Sequence, residues 1–222
     1  MSKNAHKTVY FVPGMATDYK IFERIRLSKE NYNWQVIEWL PPKKNESLHH
    51  YVIRMAKEIK DKEPILVGVS FGGVVVQEMK RMVNPEKTII ISSVKSRKEF
   101  PRYMRFSAAT KLYKLLTASK LLSVSDLSKL GWNSKIKRRL RKMQYYLNVR
   151  DAEYLNWAIQ NMIEWERQEE DPEIYHIHGT KDEVFPIQYI KRCRKIEGGT
   201  HAMILDKTPT VTKELINIIE QE

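Results

Sequence analysis

Ser70 sits in Gly68-Val69-Ser70-Phe71-Gly72, a serine fenced by glycines two residues away on either side. A serine hydroxyl is a poor nucleophile at neutral pH, so it needs a base within hydrogen-bond reach and a third group to orient that base. Histidine suits the base role because its pKa lies near the operating pH. Asp182 and His201 stand on two later loops, so Ser70, Asp182 and His201 each follow a strand-like run. The glycine spacing has a steric logic. A strand that turns abruptly into a helix puts the serine in a strained backbone conformation with its hydroxyl exposed. A side chain at position 68 or 72 would collide with the neighbouring strand or with the passing helix. His176 and His178 offer a different chemistry, since they alternate on a strand-like run and could hold a metal together with Asp182. A buried histidine and a rim histidine bonded to backbone is the preferred reading of that pair, and neither a metal nor a cofactor is expected.

The elements that must position these groups follow from periodicity. Thr8 to Val12 reads as a buried strand ending at the loop Pro13 to Asp18. Asp18 can cap a helix over Tyr19 to Arg26, because Ile21, Phe22 and Ile25 share one face. Trp34 to Leu40 is a second strand stopped by Pro41-Pro42, and Ser47 opens a helix to about Lys60 carrying Leu48, Tyr51, Val52, Met55 and Ile59. His49 and His50, in its first turns, read as solvated surface. Pro64 to Ser70 is the central strand, Phe71 to Met82 the helix behind it, and Lys87 to Val94 a further strand. Such alternation implies a parallel sheet covered by helices on both faces, with ligands at the carboxyl ends of its strands. Pro13 to Asp18, Ser70 and Ser92 to Lys95 should therefore converge at one rim.

From Ser96 to Asp171 helical periodicity replaces the strand pattern. Ile136, Leu140, Met143 and Leu147 form a stripe that Asn133 or Ser134 can cap, and Asp151 can cap a helix carrying Tyr154, Leu155, Ala158, Ile159, Met162 and Trp165. Strands resume at Glu173 to His178. A loop with Asp182 near its middle follows, then the end of a short helix at Gln188 to Arg192, a last strand at Arg194 to Glu197, the turn bearing His201, and a helix from Pro209 to Ile219. The fold class is α/β, a mainly parallel sheet of about six strands flanked by helices. Residues 1–95 and 172–222 form the core, and 96–171 an inserted helical lid.

With these residues in place, the chain resembles a small α/β-hydrolase, a serine hydrolase or esterase with a helical lid, from about Thr8 to the C-terminus. Gly68-Val69-Ser70-Phe71-Gly72 matches that family's nucleophile elbow. His178-Gly179-Thr180-Lys181-Asp182-Glu183-Val184-Phe185-Pro186 resembles its acid loop, and Gly198-Gly199-Thr200-His201 its histidine turn. The order serine, aspartate, histidine is also that of the fold. The resemblance implies that Ser70 attacks an acyl carbon, His201 relays the proton, and Asp182 holds the imidazole tautomer and stabilises its charged form. Some relatives place the acid after the strand that follows the elbow helix. Here that position reads Ser92-Ser93-Val94, without a carboxylate, so Asp182 is chosen and Glu183 is the fallback. The oxyanion hole should comprise the backbone N–H groups of Met15 and Phe71. The family often has His-Gly before the second donor, whereas this chain has Pro13-Gly14, which leaves open what anchors the loop.

The implied activity is cleavage of a carboxylic ester or thioester through an acyl-enzyme. The alternatives are a catalytically weak protein that holds a small ligand in the same pocket, or an acyltransferase or lyase with the same triad. Composition sets the remaining expectations. Hydrophobic content of 42% with 30% charged residues describes a soluble globular chain. No apolar run approaches the roughly 20 residues of a membrane span. No leader is visible before Thr8, and the single Cys193 suits a reducing compartment, so a cytoplasmic location is expected. Residues 95–150 hold 16 Lys and Arg against Glu99 and Asp126, so that segment carries +14 of a net +12 and the remainder is close to neutral. The basic segment reads first as a solvated outer face of the lid; the other reading is that its Lys135 to Lys142 face favours an anionic group on the substrate, a carrier protein or a membrane surface. Nucleic acid is not the expected partner, and the oligomeric state is left open.

Overall fold

Apolar runs alternate with amphipathic stretches along the chain, and each run becomes a strand of one parallel sheet. The structure is a computed structural model that describes residues 6–110 and 145–221. β1 (Lys7–Val12) leads through a 3₁₀ turn at Tyr19–Phe22 to β2 (Tyr32–Val36), and α1 (Leu48–Ala56), β3 (Ile65–Val69), α2 (Phe71–Val83) and β4 (Lys87–Ile91) follow. Between β4 and the next strand stand α3 (Arg102–Thr110) and α4 (Ala152–Ile163). β5 (Ile174–Gly179), β6 (Arg194–Ile196), α5 (Met203–Asp206) and α6 (Thr208–Ile219) complete the described chain.

All the pairings are parallel, in the order β2-β1-β3-β4-β5-β6, and the sheet is open. The chain steps outward from β1 to β2 and then returns across β1 to β3, so the strand order reverses between β1 and β3. The carboxyl ends at such a reversal diverge into a crevice, and Pro13 and Ser70 stand there. Because side chains alternate along a strand, the sheet feeds two cores. Tyr10, Val12, Leu66 and Ile90 pack with α1, α2 and α4 on one face. Val9, Phe11, Val67 and Ile89 pack with Ile21, Phe22 and α6 on the other.

Several elements differ from expectation. Gln188 to Arg192, expected as the end of a short helix, holds only the tail of a 3₁₀ turn at Ile187–Tyr189, and Ile190 is already extended. The segment after Asp18 is one 3₁₀ turn, not a helix to Arg26. Asp18 does cap it, accepting from the Lys20 amide at 2.9 Å, and Ile21, Phe22 and Ile25 are buried as a helical face would have buried them. β2 lies at Tyr32–Val36 because β1 gives out: Val36 pairs with Phe11 and the Ile37 amide donates to the Phe11 carbonyl, so residues beyond have no strand to join. α1 starts at its Ser47 cap as expected but ends at Ala56, where the Lys57, Glu58 and Ile59 amides turn to carbonyls three residues back.

Asn133, Ser134, Ile136, Leu140, Met143 and the Lys135 to Lys142 face lie outside the described residues. Within the basic segment, Lys95 is internal, its ammonium 3.0 Å from Glu170 Oε2. No helix of the described residues is long and apolar enough to cross a membrane.

Candidate active site

β3 ends at Val69 and α2 begins at Phe71, so Ser70 alone makes the turn between them. Its φ of 53° and ψ of −118° lie outside the regions that L-residues ordinarily adopt. The close passage of the flanking backbone enforces this. A Cβ at Gly68 would stand 2.2 Å from the Gly72 carbonyl oxygen, and one at Gly72 only 2.3 Å from the Val12 carbonyl oxygen at the end of β1. The strained residue is tied on both sides, its N–H donating to the Ile91 carbonyl at 3.0 Å and its C=O accepting from Ser93 Oγ at 2.7 Å.

Across the rim, His201 Nε2 lies 3.0 Å from Ser70 Oγ, and His201 Nδ1 lies 2.9 Å from Asp182 Oδ2 and 3.1 Å from Oδ1. The Asp182 carboxylate is fully covered, and its Oδ1 also accepts from the Val184 and Phe185 amides at 2.9 Å each. Burial alone would raise this carboxyl. The hydrogen bond and charge of His201, together with the Phe185 amide, outweigh burial and hold it below its usual value. An ionised carboxylate only accepts, so His201 Nδ1 carries the proton and Nε2 offers a lone pair to the Ser70 hydroxyl. The arrangement can take the serine proton as Oγ attacks. Glu183 is exposed, and the His201 imidazole is bonded to Asp182, not Glu183.

The acid and histidine loops are themselves joined. The Lys181 amide donates to the Gly199 carbonyl at 2.8 Å, the Thr180 amide to the Ile196 carbonyl at 3.0 Å, and the Gly198 amide to Thr180 Oγ1 at 2.9 Å. The seam is tight enough that a Cβ on Gly179 would lie 2.2 Å from the Gly199 carbonyl oxygen. Behind it, His176 and His178 are both buried, not one buried and one at the rim. His178 Nε2 is 2.8 Å from the Phe185 carbonyl, which can only accept, so Nε2 bears the proton and Nδ1 accepts from His176 Nε2 at 3.0 Å. Burial holds both imidazoles below their ordinary pKa. His178 Nε2 lies 3.6 Å from Asp182 Oδ2, the oxygen that His201 Nδ1 approaches to 2.9 Å. Among the described residues no cluster of three or more His, Cys, Asp or Glu has the geometry to hold a metal ion.

Phe71 is the first residue of α2, where an amide has no acceptor within its own helix. Met15 lies on the loop whose Gly14 packs against Ser70, and it lines a cavity of about 220 Å³ that Ser70 and His201 open into. The anchor of this loop is Trp39. Its indole N–H is shared between the Gly14 carbonyl at 3.0 Å and the Thr17 carbonyl at 3.1 Å, while its ring stacks on Phe71 at 5.6 Å. The Thr17 amide and hydroxyl both close onto Gly14 O as well, each at 3.0 Å. Sequence reasoning placed Trp39 in a strand and missed this role. The available signal was that a buried indole N–H needs an acceptor.

The comparisons with known proteins agree on the fold. No protein-family model matches the sequence, and no curated protein matches it. Among solved structures, a bromoperoxidase from Bacillus anthracis superposes with a TM-score of 0.70 at 13% identity, covering 98% of this chain and 93% of that one. An esterase from Exiguobacterium antarcticum matches at 0.63 and 17% identity, over 98% of this chain and 93% of its own. An α/β-hydrolase fold protein from Burkholderia ambifaria matches at 0.65 and 12%, over 96% and 91%. The chain has the α/β-hydrolase fold.

Proposed function

We propose that this protein is a serine hydrolase that cleaves a carboxylic ester or thioester through an acyl-enzyme. Ser70 is the nucleophile, His201 the general base and then the general acid, and Asp182 the group that orients and stabilises the imidazole. The backbone N–H groups of Met15 and Phe71 receive the negative charge that develops on the carbonyl oxygen. The observation that carries this reading is the continuous contact from Ser70 Oγ through His201 to a buried carboxylate, 3.0 Å and 2.9 Å long, at a strained elbow. The likeness to a solved esterase supports it. The segment 96–171 belongs to the proposal as a cover over the rim. Met15 and Ala108 of α3 both pack against Ile159 and Ile163 of α4, and Tyr103 Oη donates to the Val184 carbonyl beside Asp182 at 3.2 Å. A cytoplasmic location, with Cys193 as a free thiol, completes the reading.

Labelling with a fluorophosphonate tests it. The protein should be modified at Ser70 and the Ser70→Ala variant should not, while turnover of p-nitrophenyl esters falls by at least about 10³ in kcat. Unchanged turnover by a well-folded Ser70→Ala protein would rule out this mechanism.

A further inference from the structure

The cavity beside Ser70 is nearly all hydrocarbon. Ala16, Ile21, Tyr146, Leu147, Ile204 and Leu205 supply most of its wall, and no charged side chain of the described residues lines it. The polar groups on that wall are already engaged. Thr17 Oγ1 donates to Gly14 O at 3.0 Å. Tyr146 Oη donates to Glu23 Oε1 at 2.7 Å, which leaves the ring as wall, and burial together with Glu23 pushes the phenol up to about 12, so it stays neutral. A ligand entering from Ser70 therefore meets apolar surface, and a carboxylate or ammonium there would lose its hydration without gaining a partner.

Size sets a second bound. An apolar cavity of roughly 150 Å³ holds benzene, and on that scale this cavity holds about nine non-hydrogen atoms, the reacting carbonyl included. The fragment that stays on Ser70 in an acyl-enzyme is the one that the cavity beside it must hold. The alcohol must leave and water must enter, and His201, whose side chain is 29% exposed, borders the open side.

We infer that this cavity is the acyl site, that it takes uncharged acyl groups of about four to eight carbons, and that Leu205 and Leu147, in its wall, limit its size. This rests on the ester-hydrolase reading above and narrows its substrate class. It also places any anionic recognition on the leaving group or outside the cavity.

A series of p-nitrophenyl acetate, butyrate, hexanoate, octanoate and dodecanoate, alongside the p-nitrophenyl monoester of adipic acid, tests the inference at constant leaving group. From acetate to hexanoate kcat/KM should rise by about fourfold per buried methylene, and dodecanoate should fall below octanoate. The adipate monoester, which carries a carboxylate into the cavity, should be slower than hexanoate by at least about a hundredfold. Leu205→Trp should move the optimum to acetate or butyrate, and Leu205→Ala should move it the other way, so one variant suffices if its counterpart does not fold. A flat profile, dodecanoate as the best substrate, or equal turnover of the adipate ester would overturn the acyl site while the hydrolase reading stood. A length dependence confined to the alcohol side of an acetate series would do the same. Absence of both ester turnover and fluorophosphonate labelling would overturn the two together.

Discussion

The two sides of the rim are held by different forces. On the β1 and β3 side, Ser70 is placed by steric exclusion: backbone passes backbone so closely that Gly68 and Gly72 have no room for a methyl group. On the β5 and β6 side, Asp182 and His201 are placed by polar bonds, with two amides on one carboxylate oxygen, the imidazole across both, and Phe185 returning its carbonyl to His178. Exclusion is written in residue type, because only glycine fits. A network of backbone amides leaves almost no mark in residue type, because every residue but proline carries the same donor.

The largest effect is expected on the polar side. Asp182→Asn should lower kcat by about 10⁴ by favouring the wrong imidazole tautomer, whereas Glu183→Gln should change it by less than about twofold. Steady-state kinetics of both variants decides, and a more damaging Glu183 change would mean that the network serves a different acid. Next comes Gly72→Ala. Its methyl must displace the Val12 and Pro13 carbonyls, so unfolding in urea should show a loss of about 1–3 kcal/mol. An unchanged midpoint would remove exclusion as the cause of the elbow. Smaller still is Trp39→Phe, which keeps an aromatic ring against Phe71 and deletes the indole donor to Gly14 and Thr17. Misplacing an oxyanion donor without removing it should cost about tenfold in kcat with little change in KM. A rise in KM alone would make Trp39 a wall of the binding site instead of an anchor.

A further effect concerns pH. His176 and His178 are held neutral in the folded state by burial, with pKa values below that of an unfolded histidine, about 6.5. The unfolded chain therefore binds more protons below that pH. Stability should fall as pH drops from about 6.5 toward 5, by up to about 1.4 kcal/mol per unit for each imidazole. The Asp182 carboxyl is also depressed, but its contribution is present above about pH 3.9, the unfolded value, and is lost only as pH falls further. His176→Phe should flatten the dependence between pH 7 and 5, and equal slopes for variant and parent would show that these imidazoles do not set it.

The same contrast explains what could be read before the structure. The elbow, the number of strands and the positions of all but β2, the caps Asp18, Ser47 and Asp151, and the loops that carry Ser70, Asp182 and His201 all depend on local pattern or residue type, and the structure has them where the pattern implies. What was not legible depends on partners distant in sequence. Trp39 and Leu40 continue the apolar run of β2, yet β1 is too short to receive them. The indole goes to the Gly14 loop, and the Leu40 amide and carbonyl go to Tyr51 Oη at 2.9 and 2.7 Å. Likewise, the alternation of His176 and His178 correctly puts them on one side of β5. That they bond to each other and to Phe185 depends on how the acid loop folds back over the strand.

The seam between Gly179 and Gly199 also has a thermal consequence. It makes the acid loop and the histidine turn a single rigid piece, whereas Ser70 belongs to a different strand, with β4 lying between. If warming shifts β5 and β6 against β3, the aspartate and histidine move together and the displacement falls on the serine–histidine contact. Turnover should therefore begin to fade at temperatures where the far-ultraviolet dichroism is still native, with the loss reversible on cooling.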